Sequence, residues 1–483
     1  MNIKEIFELI MDFESRNLKE LMKFKINDIH LYPVYRYNIL FEIFRKATKI
    51  QKPHAGFKQE KFWFVDFLNS LVKSYLRNVK IQKSILSSDA IAISTYALRR
   101  KKVENKEFDV IYDYFLPEIT NNHLLIENAF RMKVSKKPYT KNVYYPLFDS
   151  FKAKINIFKN RLSEEQKRIL KEFSYVVYES IKNFFGDIPP VFLQEIQGVL
   201  FKFNYSYEYA SKLVKLVKSL SPKLLFVHCG SYGGTSAIII KLCKQNDIKI
   251  AEIQHGVVNK FHLAYNYGFN NTEYREYLPD YFLTWGRYWS EQLERLPVEK
   301  ITIGFPEFIN NYMNHIKREN IKNSNEKIIL VVSQGIVTKR LVKIAEELSK
   351  KLPDNFKILY KLHPGEIPFE ERYKELYSLK NVKIIKFGNI YEYITKADFI
   401  IAYNSTTIFE ALPFEKPLFI LDDELSDMYI PKEIGIRFNR VDDIIKNILN
   451  NSNISNNSKE INWHYYWELD WKSNLENFIK KLF

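Results

Sequence analysis

DFIIAYNSTTIFEALPFEKPLFILDD (398–423) decides how this chain is read. An apolar run is followed by Asn404, Ser405, Thr406 and Thr407, then by an amphipathic stretch, then by a second apolar run. Strands buried on both faces of a parallel sheet need such unbroken apolar runs, and a helix between two of them supplies the crossover that keeps them parallel. The segment predicts strand, loop, helix, strand.

The same alternation extends upstream. EKIILVVSQG, FKILYKLHPG and NVKIIKF predict strands, separated by the helical VTKRLVKIAEELSKKL and ERYKELYSL and followed by the helical NIYEYITKA. An earlier set runs PKLLFVHCG, IKIAEIQHG, DYFLTWG and KITIGFP, with helices in SAIIIKLCKQND and YWSEQLERL. Repeated alternation of this kind builds a doubly wound parallel sheet. Between the sets, the polar INNYMNHIKRENIKNSNEK (309–327) predicts a connection. Residues 1–85 and 160–220 predict helices, DAIAIST (89–95) a strand, and FDVIYDYFL (108–116) a second strand. An Asn/Ser-rich loop (449–458) precedes one aromatic terminal helix. The expectation is an α/β chain with two Rossmann-like domains facing a cleft. Residues 1–308 form an acceptor-side domain with a helical N-terminal region, 325–455 a nucleotide-sugar domain, and 456–483 a helix packing back across both.

A length of 483 residues suits two domains of about 150–250 residues, and the hydrophobic content of 46 % suits a sizeable core. Net charge is uneven: residues 1–200 hold 34 Lys+Arg against 23 Asp+Glu, and the rest 39 against 34. A basic N-terminal half suits an anionic membrane surface or acidic polymer as readily as a plain solvated surface; no nucleic-acid partner is expected. The two cysteines, Cys229 and Cys243, give neither a disulfide framework nor a zinc spacing, and they fit a reducing cytosol. The N-terminus shows no signal-peptide pattern, and no apolar run reaches the roughly 20 residues that span a bilayer. The expected location is cytoplasmic, with peripheral contact at the inner face of the membrane.

Residues able to carry chemistry cluster after strand ends, where ligands bind in open α/β sheets. Ser405, Thr406 and Thr407 open a helix, a place for phosphate or simply for an ordinary cap, with Asn404 before them and Glu410 one turn in as a ribose acceptor or a surface carboxylate. His363, Pro364 and Gly365 follow another strand, as a phosphate contact or a turn, with Lys361 as added charge. Ser333, Gln334 and Gly335 follow the first strand of that set. In the N-terminal set, Gln254, His255 and Gly256 end a strand. His255 is a candidate base or a loop-orienting histidine, and Glu252 is its rival. Gly230, Gly233 and Gly234 lie in a strand-to-helix loop that faces a ligand or only permits the turn. Ser94, Arg99, Arg100 and Asp113 are placed to face an anionic acceptor, although RRKK also reads as a solvated face. Asp422 and Asp423 lie late in the second set, and no carboxylate pair sits in a metal-binding loop.

The order of HP after one strand and Ser-Thr-Thr at a later helix start resembles the HP and S/T motifs of GT-B bacterial sialyltransferases, polysialyltransferases, Kdo transferases of capsule synthesis and CDP-glycerol glycerophosphotransferases. QHG, PDYFLTWG and ITIGFP look like segments of capsule and surface-carbohydrate transferases. The resemblance implies that His363, Ser405, Thr406 and Thr407 hold the phosphate of a nucleotide-activated donor. It implies an inverting, metal-independent transfer of a sugar, a CMP-sugar before a UDP- or GDP-sugar, to a hydroxyl of a capsule, lipopolysaccharide or glycolipid acceptor, with no cofactor. The acidic D/E-D/E-G motif of the sialyltransferases has no copy here. Rival expectations are a CDP-glycerol or ribitol type polyol-phosphate transferase, a UDP-GlcNAc 2-epimerase-like enzyme, and a non-catalytic glycan- or membrane-binding protein.

Overall fold

The computed structural model describes residues 2–48, 64–130, 133–159, 161–186, 190–316, 325–449 and 461–482. The chain divides into two compact units. The first is assembled from Glu5–Ala47, Phe62–Gly304 and Asp470–Phe483; the second centres on Phe305–Leu469.

In the first unit, β1 (Ala90–Thr95), β2 (His123–Asn128), β3 (Val143–Tyr144), β4 (Leu224–Val227), β5 (Lys249–Ile253), β6 (Tyr281–Thr284) and β7 (Glu299–Thr302) form one sheet. Every pairing is parallel and the order is β7-β6-β5-β4-β1-β2-β3. In the second unit, β8 (Lys327–Val332), β9 (Phe356–Lys361), β10 (Val382–Ile385), β11 (Phe399–Ala402), β12 (Leu418–Leu421) and β13 (Ile436–Phe438) pair in parallel in the order β10-β9-β8-β11-β12-β13. Both sheets thus wind outward from their first strand, return beside it and continue the other way. That is the doubly wound Rossmann order, and its reversal point lies between β1 and β4 in one unit and between β8 and β11 in the other. The two-domain α/β architecture predicted from the alternation is present.

The apolar runs became strands because both sheet faces are covered. Ala90, Ile91, Ala92 and Ile93 of β1 are buried, as are Ile329, Leu330 and Val331 of β8. The helix Thr338–Lys351 turns Leu341, Ala345 and Leu348 onto the second sheet, into one cluster with Ile358, Ile401 and Phe419. Each such side chain contributes about 1.5–3 kcal/mol on burial.

A buried ion pair ties the N-terminal helices of the first unit to a loop that follows β5. Glu14 and Arg36 are at most 1 % exposed. The Arg36 guanidinium donates to both Glu14 oxygens at 2.6 Å and to the carbonyls of Leu263 (2.6 Å) and Asn266 (2.5 Å). The loop carrying His262 and Tyr265 is therefore held from outside the sheet.

Several predicted elements differ. FDVIYDYFL is not one strand: Lys106–Asp109 pairs with Arg99–Val103 in a hairpin, and Tyr112–Ile119 is a helix. Asp109 makes the break by accepting the Ile111 and Tyr112 N–H groups at 2.9 Å. The connection predicted over 309–327 begins as a helix, Pro306–Ile316, in which Phe308 stacks on Trp467 with centroids 4.1 Å apart; residues 317–324 of that stretch, like most of the 449–458 loop, lie outside the described residues. The terminal helix is Trp471–Leu482 alone. It packs in the first unit, with Trp471 against Phe115, while the aromatic residues before it pack in the second. β2 and β3 went unpredicted. No helix among the described residues is long and apolar enough to cross a membrane.

Replacing Glu14 by Ala strands the Arg36 charge in the core. The expected cost is about 3–5 kcal/mol in urea unfolding; a loss below about 1 kcal/mol, the scale of a surface pair, contradicts the clamp.

Candidate functional site

The second unit gathers three loops at the C-terminal ends of β8, β9 and β11. β8 runs into Ser333, whose hydroxyl accepts the His363 backbone N–H at 2.7 Å and donates to Glu366 at 2.6 Å. Glu366 is buried and also accepts the hydroxyls of Thr338 (3.0 Å) and Tyr373. A carboxylate meeting three hydroxyl donors fixes the HPG turn relative to β8. Gln334 completes the rim, its side-chain amide donating to the Asn404 carbonyl after β11. The sheet order explains why this link is needed: β8 lies between β9 and β11, so the HPG and NSTT loops are joined through Ser333 and Gln334 rather than as strand neighbours.

His363 is exposed and caps the 3-10 turns that begin at Pro364. Its Nδ1 accepts the Gly365 N–H at 3.1 Å, so in the neutral ring the proton sits on Nε2. Ser405 caps the short helix Thr406–Ala411, accepting the Thr407 N–H at 3.3 Å and donating to the Thr407 hydroxyl at 3.2 Å. Asn404, Ser405 and Thr406 are half-buried and Thr407 is buried.

Three other candidates take different roles. Lys361 is buried and donates to the carbonyls of Leu362 (3.2 Å) and Lys386 (3.4 Å), its pKa lowered by burial; strand alternation turned it inward, away from a phosphate role. Glu410 is buried and accepts the Tyr391 hydroxyl at 3.3 Å, so it is not a surface carboxylate. Asp423 caps the helix Glu424–Tyr429 and pairs with Arg340 at 2.8 Å.

The first unit has its own cluster at the ends of β4 and β5. His228 and Cys229 follow β4, and His255 follows β5. Cys229 Sγ lies 3.5 Å from His255 Nε2, and the His228 and His255 rings meet edge to face at 4.8 Å. Cys229 sits at φ +54°, a left-handed conformation that costs a non-glycine residue about 1–2 kcal/mol. Gly233, at φ +79°, allows the loop to pass the helix Leu31–Thr48: a Cβ there would lie 2.8 Å from the Val34 carbonyl. Tyr232 extends the cluster, its hydroxyl 3.1 Å from His262 Nε2 while His262 Nδ1 accepts the Ala264 N–H at 3.3 Å.

Burial holds all three histidines neutral: His228 and His262 are pushed down to about 3 and His255 to about 4, with the Arg100 charge adding to the effect on His228 and His255. Glu252 is fully buried and accepts the Ser231 N–H (2.8 Å), the Ser231 hydroxyl (2.6 Å) and the Tyr265 hydroxyl (2.8 Å). It organises the Gly230–Gly234 loop from beneath. Gln254 is also fully buried, its amide donating to the Gly256 carbonyl and its oxygen accepting the Trp285 N–H, both at 2.9 Å.

Arg99 and Asp113 do not face an acceptor. The Arg99 side chain is completely buried, donating to Asp113 (2.9 Å), Glu127 and the Glu107 carbonyl (2.7 Å). Ser94 donates to the buried Asp109 at 2.6 Å. A charge within a basic run was drawn inward because carboxylates from two neighbouring elements and a carbonyl from a third meet it there. Arg100, the next residue, is exposed. Sequence reasoning missed Glu366 and His228; Glu366 lay inside the HPGE string, and His228 one place before Cys229 at a strand end.

No protein-family model matches the chain. An uncharacterised protein of Methanocaldococcus jannaschii is 24 % identical over 487 residues, covering 87 % of this chain and 85 % of that one. Among solved structures, the UDP-GlcNAc 2-epimerase of Neisseria meningitidis bound to UDP-GlcNAc is similar at TM-score 0.47 and 13 % identity, covering 81 % of this chain and 99 % of that one. The wall teichoic acid polymerase TagF is similar at TM-score 0.44 and 10 % identity, covering 87 % and 98 %.

Burial pushes Glu252 from its ordinary 4.5 up to about 7, against the bonds from Ser231 and Tyr265. Between those values the folded chain binds this proton more tightly than the unfolded chain. The stability it contributes is complete below about pH 4.5 and is lost as pH rises to about 7. Wild-type stability is expected to fall by up to about 3 kcal/mol across that window from this group, and Glu252→Gln to flatten the slope. Superimposable pH–stability curves for the two proteins would refute this.

Proposed function

We propose that the protein is a GT-B-type glycosyltransferase that moves a sugar from a nucleotide-activated donor to a hydroxyl of a surface-glycan or glycolipid acceptor, in capsule or lipopolysaccharide synthesis. One observation carries the reading: the SQG, HPG and NSTT loops, from the strands at and beside the reversal point of the second sheet, are hydrogen-bonded into a single rim. Reversal points leave the ends of adjacent strands uncovered, and ligands bind there. The groups on this rim suit a phosphate: the His363 imidazole with Nε2 as donor, the hydroxyls of Ser405 and Thr406, and the backbone of Ser333–Gly335. They stabilise leaving-phosphate charge without an ion on that unit. In the first unit, the His228–Cys229–His255 group receives the acceptor hydroxyl, and His255 acts in removing its proton. The positive N-terminal half suits an acceptor carried on an anionic surface at the inner membrane face.

Calorimetry of CMP, CDP, UDP and GDP with the whole protein tests the donor site. His363→Ala is expected to weaken the preferred nucleotide by about 10–100-fold, the worth of a charge-assisted hydrogen bond. Because the ring is exposed, the melting temperature should stay unchanged. Equal affinity in the two proteins removes His363 from the site. A CMP preference supports an acid-sugar donor and a CDP preference a polyol-phosphate donor; binding of none of the four overturns the transferase reading.

A further inference from the structure

We propose that His228, Cys229 and His255 form a site for one thiophilic divalent cation, of which zinc is the representative, with the fourth position open. Nothing in the chain's spacing announces it, because the two strands that carry the ligands are adjacent in the sheet and 26 residues apart in sequence.

The geometry is that of a site closing on an ion. One ligand atom from each residue lies within 4.8 Å of the others, and among the described residues this is the one group of its kind. Zn–S of about 2.3 Å and Zn–N of about 2.0–2.1 Å at the tetrahedral angle place sulfur and nitrogen about 3.5 Å apart. Cys229 Sγ and His255 Nε2 are 3.5 Å apart.

The chemistry agrees. Two imidazoles and a thiolate form a borderline-soft set that suits zinc or copper better than magnesium or calcium. Both ring types can ligate in the neutral form that metal binding requires. His228 Nδ1 is buried with no hydrogen-bond partner, a state that normally calls for an explanation such as an unplaced ion or water. The sulfur ligates as the thiolate. Binding displaces the thiol proton to solvent as the sulfur–metal bond forms, with no change of oxidation state. Three protein ligands and an open position are the composition of catalytic rather than structural zinc sites, whose bound water ionises near neutral pH. This inference deepens the proposed transfer: an acceptor hydroxyl taking the fourth position would be made more acidic by the ion and release its proton to solvent, and His255 would then serve as a ligand in place of the base role proposed above. It replaces, for the first unit, the metal-free expectation. The site itself stands on its geometry and not on that reading.

The test uses the full chain, stripped with chelator and titrated with Co²⁺ and then Zn²⁺ in the absence of nucleotide. One cobalt per chain is expected, with a thiolate-to-cobalt charge-transfer band in the near ultraviolet and displacement by zinc. Cys229→Ser should abolish the band, and His228→Ala and His255→Ala should each weaken zinc at least tenfold, while Cys243→Ser, at the other cysteine, keeps the band. No band in the wild-type protein, or a band that survives Cys229→Ser, overturns the site. So does zinc affinity unchanged in the His228→Ala/His255→Ala double variant, which would mark binding at surface residues. Because no substrate is present, a protein that binds cobalt yet transfers no sugar retains this site and loses only the transferase reading.

Discussion

The order of parallel strands governs everything else in this molecule. Once β4 returns beside β1 and β11 beside β8, the helices that follow neighbouring strands must leave toward opposite faces of the sheet. No helix then covers the two strand ends at that point. Backbone and side-chain groups just past those ends are left without a covering helix by topology alone, whatever residues occupy them. The chain fills both places with polar groups: Ser333, Gln334 and Asn404 in one unit, His228 and Cys229 in the other.

The two places are built differently. The second unit uses a buried carboxylate, Glu366, to bind hydroxyls from three directions and so define the backbone path to His363. The first unit uses Glu252 for the loop after β4, and then packs unprotonated rings and a thiol above it. In both, the acidic residue lies beneath and the candidate ligand-binding groups stand above. Three donors lower the cost of burying each carboxylate, and for Glu252 burial still outweighs them; one left without donors would cost more.

Much of this was legible in the chain. DFIIAY, KIILVV and KLLFV read as strands because each is buried on both faces and needs no polar alternation. The loops after them were legible as well, since glycine, proline and hydroxyl residues gather where strands end. What failed to show was anything set by partners distant in sequence. FDVIYDYFL has strand composition throughout, and only the Asp109 side chain, by capping Ile111 and Tyr112, divides it. Lys361 and Arg99 carry charge that would ordinarily face water, and each was drawn inward by acceptors from elsewhere in the chain: carbonyls for one, carboxylates for the other. The aromatic residues before Trp471 looked like one helix with it because nothing local records that they pack in a different unit.

The path of the chain at that last point has a consequence for how the protein is made. The main segment of the second unit, Phe305–Leu469, is continuous and is joined by short stretches from the N-terminal part of the chain, whereas the helix Trp471–Leu482 belongs to the first unit, on which Phe478 packs against Tyr281. In topological terms that main segment is an insertion within the first unit. During synthesis the earlier sheet emerges long before the helix that covers Tyr281, and its surface waits for the whole inserted unit to be translated. The first unit cannot be obtained by shortening the chain from one end, and producing it alone calls for a direct splice from Gly304 to Asp470 or for a circular permutation.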